Sequence, residues 1–130
     1  MPTWGEIQEY ARSKYKLDDD EEDWFSLVWG YESGRTQKIR IAKFDAFDKP
    51  WLEFRSVVCK ESDMAHRVAL KKNAGFAVGG LAIDDDGDYV FLYSAPLDTM
   101  DPEEFELPLH VVANTADKLE EEFSSEDDAY

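Results

Sequence analysis

Four aspartates surround one glycine in "LAIDDDGDYVFLY", residues 81 to 93. Carboxylates at such spacing suggest either a calcium loop or an acidic catalytic cluster. As a calcium loop, Asp84, Asp86 and Asp88 take ligand positions one, three and five. Tyr89 then stands where the loop requires glycine, and Ala95 where a bidentate glutamate belongs. Acid–base catalysis would need two carboxylates in environments that push their pKa values apart, and four neighbours on one turn lack that asymmetry. An Asp-Gly hairpin turn accounts for the same residues without a metal, so no cofactor is expected and Asp84, Asp86 and Asp88 remain a weak metal alternative.

Cys59, His66 and His110 are the other residue types that could do chemistry, as a thiol and imidazole pair if a helix carried a histidine over Cys59. Set against this, Cys59 reads as a small apolar residue at a strand end, and His110 as a neighbour of the apolar seam of Leu109 and Val112. The aromatic residues form the stronger pattern. In "WFSLVWGYE", Phe25, Leu27, Trp29 and Tyr31 share one face of a strand while Trp24 and Val28 take the other, and Tyr89, Phe91 and Tyr93 repeat the alternation later. Either both faces are covered within one protomer, or these seven residues form an apolar surface for a second copy or a client segment.

A chain of 130 residues, 43% hydrophobic with 8 Phe, 6 Tyr and 4 Trp, has the apolar content for one core and little room for a second. Net charge is −16, unevenly distributed: residues 35 to 72 hold ten of the fourteen Lys and Arg, whereas residues 84 to 130 hold sixteen acids against Lys118 alone. Such a chain repels nucleic acid, although its middle strands could attract an acidic peptide or another copy's acidic helix. One cysteine allows no internal disulfide and fits a reducing compartment. "MPTWGEIQEY" lacks the order of a signal peptide, and no apolar run approaches the ~18 residues of a membrane span, so a cytoplasmic protein is expected.

The elements that must position these residues follow from periodicity. Thr3 and Glu6 form a capping box opening a helix with Trp4, Ile7, Tyr10, Ala11 and Tyr15 on one stripe. The acidic run Asp18 to Asp23 reads as a solvated link. "WFSLVWGYE" and "QKIRIAKFDAF" predict two strands joined at Ser33-Gly34, with a bulge or strong twist near residues 41 and 42 where apolar parity changes. Asp48-Lys49-Pro50 turns the chain into a third strand, in which Leu52, Phe54, Ser56 and Val58 face one side. Ser62-Asp63 predicts the cap of a second helix, ended by a left-handed stop at Asn73-Ala74-Gly75. "FAVGGLAI" and "YVFLYSA" predict a hairpin with a bulge at Gly79-Gly80. A last helix capped by Asp101 carries the seam Phe105, Leu109, Val112, Ala116, Leu119 and Phe123. Pro108 predicts either a kink or a helix that begins near it.

This order, together with "NAGFAVGGLAIDDDGDYVFLYSAPLDTMDPEEFELPLHVVANTADKLEEEF", resembles the YbjN family, whose fold is like that of type III secretion chaperones. The resemblance runs from about Trp4 to Phe123, and Pro108 departs from the usual pattern. It implies a small, frequently dimeric domain that binds proteins and has no established catalytic residues.

The expectation is an α+β fold, a twisted antiparallel sheet of about five strands with three helices in the order α-β-β-β-α-β-β-α. Residues 1–123 would be one domain and 124–130 an acidic disordered tail. The function expected is a non-catalytic protein-binding module, chaperone-like or regulatory, forming a homodimer and holding a protein client. The alternatives are an assembly subunit that meets only its own copies, and a thiol-dependent enzyme.

Overall fold

The computed structural model describes residues 2–124; of the expected acidic tail, all but Ser124 lies outside them. The elements are α1 (Trp4–Lys14), β1 (Leu17–Asp20), β2 (Trp24–Gly30), β3 (Thr36–Ala46), β4 (Lys49–Lys60), α2 (His66–Gly75), β5 (Gly80–Ile83), β6 (Asp88–Pro96) and α3 (Glu106–Phe123). Among the described residues one antiparallel sheet runs in the order β1-β2-β3-β4-β6-β5. The α+β class is as expected, with six strands in place of about five.

The additional strand, β1, comes from the acidic run. Asp18 to Asp20 do not repel each other into solvent, because cations from elsewhere in the chain meet them. Lys38 Nζ lies 2.9 Å from Asp18 and 3.1 Å from Asp19, and Arg12 Nε lies 2.7 Å from Asp20. Ser26 Oγ donates to Asp19 at 2.6 Å, and Leu17 sits opposite Leu27.

The inner face of the sheet carries Phe25, Leu27, Ile39, Ile41, Leu52, Phe54, Val58 and Phe91, all buried. α3 roofs it with Leu109, Val112, Ala116 and Leu119, the seam read from the sequence. Tyr10 and Tyr15 then tie α1 to α3. Both phenols donate to the Glu106 carboxylate, with Tyr10 at 3.0 Å, and Lys14 Nζ lies 2.8 Å from it. Burial alone would raise the Glu106 pKa, but the hydrogen bonds from Lys14, Tyr15 and Tyr10 outweigh it and hold the group below the ordinary carboxylate value.

A depressed folded pKa has a definite sign. The stability that Glu106 contributes is complete above its unfolded value of about 4.3 and is lost as pH falls through the lower folded value. The difference in urea midpoint between the parent and Glu106→Gln is therefore expected to be constant near neutrality and to shrink under acid. A difference independent of pH would remove this role from Glu106.

Several local readings need correction. β3 pairs without a break from Thr36 to Ala46, so no bulge lies at residues 41 and 42. Its two apolar sets face opposite sides of the sheet: Ile39 and Ile41 inward, and Phe44 outward, stacked on Trp51 at 6.3 Å. The register shifts lie instead between Leu17 and Asp19 and between Val57 and Cys59. The hairpin tip is Phe47-Asp48, since Pro50 already pairs with Asp45 inside β4. At α1, Thr3 Oγ1 accepts from the Glu6 amide at 3.2 Å as expected, but the Glu6 carboxylate meets the Thr3 hydroxyl and not its amide.

Glu61–Asp63 forms a 3₁₀ turn, and α2 starts after Ala65 without a side-chain cap, so Ser62-Asp63 does not cap it. The Tyr89 hydroxyl, which donates to the Met64 carbonyl at 2.9 Å, holds the extended step between the two. Gly75 ends α2 without a left-handed conformation. That conformation falls to Gly79, with φ 76°, where a Cβ would lie 2.7 Å from the Phe91 ring and 2.9 Å from the Leu92 carbonyl oxygen. Residues 76–79 therefore loop, and β5 begins only at Gly80. A 3₁₀ turn at Pro102–Phe105 precedes α3, which leaves Pro108 in the first turn, where no amide donor is missed. Of the two readings of Pro108, the helix that begins near it is the observed one.

Candidate partner-binding surface

The aspartate loop is a turn built by its own side chain. Asp84 Oδ1 accepts from the amides of Asp86 and Asp88, both at 3.0 Å, the Asp84 amide donates to the Asp88 carbonyl at 2.9 Å, and Gly87 supplies φ 79°. This is a three-residue loop closed by a left-handed glycine, and the aspartates keep ordinary negative φ. Burial, and then the charges of Asp84 and Asp86, push the Asp88 carboxyl upward. Among the described residues no group of three or more His, Cys, Asp and Glu is placed to hold a metal.

Cys59 is fully buried, and burial, then the charges of Asp63, Asp88 and Glu120, push its thiol up to about 11. A nucleophile needs the opposite shift, because the thiolate is the reactive form. The two histidines are engaged elsewhere. His66 Nε2 bonds Glu61 at 2.8 Å; His110 Nε2 lies 3.4 Å from Glu106, with its ring edge-on to Trp29 at 4.7 Å.

The seven surface candidates divide. Phe25, Leu27, Tyr89 and Phe91 are at most 2% exposed and lie inside the protomer, covered by its own helices. Trp29, Tyr31 and Tyr93 are half-buried. Trp29 packs on Tyr15 at 5.8 Å, and the Tyr31 hydroxyl donates to Asn114 Oδ1 at 3.0 Å. Alternation along the strands identified residues that share a face, but the face proves to be largely the core.

One exposed apolar surface among the described residues lies where α2 meets β5. Leu70 on α2 is 69% exposed, and Ile83 on β5 is exposed as well. A cleft of about 270 Å³ opens between Ala69 and Leu70 on α2 and Leu81 and Ile83 on β5. Asn73 closes the strand edge next to it: the Leu81 amide donates to Asn73 Oδ1 at 2.7 Å, and Asn73 Nδ2 donates to the Leu81 carbonyl at 3.2 Å. The outward backbone groups of Leu81 are therefore occupied. The signal in the sequence was Leu70, an apolar residue off the stripe that Ala69 buries.

No protein-family model matches the chain, and no curated protein matches it. Its fold is similar to solved structures. One is a chain in the HopA1–SchA chaperone–effector complex, with 13% identity over 90% of this chain and 91% of that one and a TM-score of 0.63. Another belongs to the heterodimeric ExoU–SpcU complex from the type III secretion system of Pseudomonas aeruginosa, with 18% identity, 90% and 97% coverage and a TM-score of 0.59. A third belongs to the Yersinia pestis type III secretion chaperone SycH in complex with a fragment of YscM2, with 13% identity, 88% and 97% coverage and a TM-score of 0.55. At these identities the likeness is one of fold. Among the described residues no helix is long and apolar enough to cross a membrane.

Proposed function

We propose that residues 1–123 are one non-catalytic protein-binding module of the cytoplasm, chaperone-like in fold and role and akin to the YbjN family. It holds an apolar segment of a protein client and pairs with a second copy of itself. The observation that carries this reading is a cleft between α2 and β5 lined by the exposed Leu70 and Ile83 together with Ala69, Leu81 and Ala82. An isolated exposed leucine needs no explanation, but exposed Leu70 and Ile83 lining one cleft fit a binding site. The fold likeness to chains in chaperone complexes supports the same reading. A client segment that is disordered when free would lose entropy on docking, and burial of its apolar side chains offsets that loss.

Leu70→Asp tests the surface. The side chain is solvent-exposed, so the free energy of unfolding from urea titration is expected to move by no more than about 0.5 kcal/mol. Enhancement of a hydrophobic dye, and recovery of a co-purified client from cells, are each expected to fall at least tenfold, the equivalent of about 1.4 kcal/mol. Unchanged dye and client binding would rule out the α2 and β5 surface.

A further inference from the structure

The connection from β6 to α3, "PLDTMDPEEF", carries Asp98, Asp101, Glu103 and Glu104 and no basic residue. None of the four acids makes an ion pair among the described residues. Asp101, Glu103 and Glu104 are exposed, whereas Asp98 Oδ1 is enclosed and meets no hydrogen-bond donor among the described residues. An enclosed carboxylate oxygen without a donor is costly, and it points to a donor that the chain does not itself supply.

The same connection walls a cleft of about 400 Å³ against β6, lined by Tyr93, Pro96, Met100, Glu104, Leu107 and Pro108. Met100 and Pro108 are buried, yet Leu107 is 70% exposed at the mouth. The wall is set before anything docks. The Met100 amide donates to the Leu97 carbonyl at 3.0 Å, the Glu104 amide to the Asp101 carbonyl at 2.9 Å, and the Leu97 amide to the Pro50 carbonyl at 3.0 Å. Pro96, Pro102 and Pro108 each fix a φ angle, and Phe105 is packed on Phe54 at 5.5 Å. A wall so held loses little conformational entropy when it is occupied.

The elements packed around this loop do not neutralise it. Lys14 Nζ on α1 lies 2.8 Å from Glu106, and His110, one turn along α3, also faces Glu106 at 3.4 Å. The β3–β4 hairpin meets the loop where Trp51 pairs with Pro96, and there Lys43 and Lys49 are matched by Asp45 and Asp48. The acidic loop is therefore left with its own charge. An apolar cleft in such a loop suits an apolar side chain flanked by cations, and the net charge of −16 steers a segment of that kind toward it.

We propose that the cleft between β6 and the start of α3 is a second docking site, for a protein segment that carries an apolar side chain between lysines or arginines. The apolar side chain covers Leu107, and the cations meet Glu104 and its acidic neighbours. The site goes beyond the client surface of α2 and β5, where the exposed Leu70 stands between Arg67 and Lys71 and the local charge has the opposite sign.

Fluorescence anisotropy of the full chain tests this with a labelled synthetic peptide of leucines set between lysines. Two counterparts carry glutamates for the lysines or serines for the leucines. The parent is expected to bind the first peptide at least tenfold more tightly than either counterpart, and to lose affinity as ionic strength rises. Leu107→Ser and Glu104→Lys alter exposed side chains, so each is expected to keep the parent's thermal midpoint and to weaken the peptide at least tenfold. Asp85→Lys makes the same change in net charge on the β5–β6 turn and is expected to retain the peptide, as is Leu70→Asp. The proposal is overturned if the parent does not bind the lysine peptide, or if Leu107→Ser binds it as the parent does. It is also overturned if Asp85→Lys weakens binding as much as Glu104→Lys, which would leave net charge as the only attraction. Loss of the peptide in Leu70→Asp would place it on the client surface, and displacement of the peptide as the parent self-associates would make a second copy the occupant; either overturns the proposal. Failure on any of these counts leaves the dye and client measurements on Leu70→Asp to decide the α2 and β5 surface by themselves.

Discussion

Arg35→Ala is expected to lower the free energy of unfolding by about 3 to 5 kcal/mol, the cost typical of removing one partner from a buried charge pair. Arg35 follows the β2–β3 turn at Gly34 and reaches α3. Its Nε lies 3.0 Å from Asp117 Oδ1, and its Nη2 lies 2.7 Å from Glu120 Oε1. The Glu120 side chain is fully enclosed and that of Asp117 is 13% exposed, so water is a poor replacement for the guanidinium. The intact group need not add much net stability, because desolvation of the charges offsets most of their attraction. A double variant, Arg35→Met with Glu120→Leu, is therefore expected to recover most of the loss. Urea unfolding at neutral pH checks both, and a loss below about 1 kcal/mol for Arg35→Ala would show that solvent screens the pair.

Phe105→Ala is expected to cost about 3 to 5 kcal/mol by the same assay, as loss of apolar burial plus an unfilled cavity. Phe105 has no exposed surface and stands where three elements meet. Its ring centroid is 5.5 Å from that of Phe54 on β4, 6.1 Å from Phe25 on β2 and 6.3 Å from Tyr10 on α1. The 3₁₀ turn that carries it also sets where α3 begins. Phe105→Leu retains most of the volume and is expected to cost less than about 1.5 kcal/mol. Equal losses for the two variants would mean that ring contacts, and not filled volume, hold the junction.

Both residues show how far the sequence could be read. Phe105 belongs to a seam that recurs at helical spacing, and Leu52, Phe54, Ser56 and Val58 alternate with period two, so each periodicity pointed at the buried face. Gly34 and Gly87 marked turns through a conformation that few other residues accept. What stayed hidden depended on partners distant in the chain. Asp18 to Asp20 become a strand only because Arg12 and Lys38 arrive beside them, and no local propensity reports that. Ala42, Phe44 and Ala46 looked like a change of register because periodicity does not say that both faces of β3 are used.

The candidate surface was harder to read than the fold. Phe25, Leu27, Tyr89 and Phe91 were grouped correctly by face, yet whether a face is roofed depends on where α1 and α3 settle. Leu70 stood out of pattern on α2, but only the neighbouring β5 turns it into part of a cleft. The hairpin tip at Phe47 was invisible for another reason: a phenylalanine in a left-handed turn runs against every local preference.

The two margins of the sheet are finished in different ways. At β1 the aspartates would set like charges against the same strand of another copy, while at β5 the Asn73 amide occupies the outward backbone groups of Leu81 that an added strand would use. The width of the sheet is therefore limited from both sides. For a chain that keeps apolar side chains in the open, this separates two hazards: it can stay adhesive toward a chosen partner without templating cross-β growth when crowded.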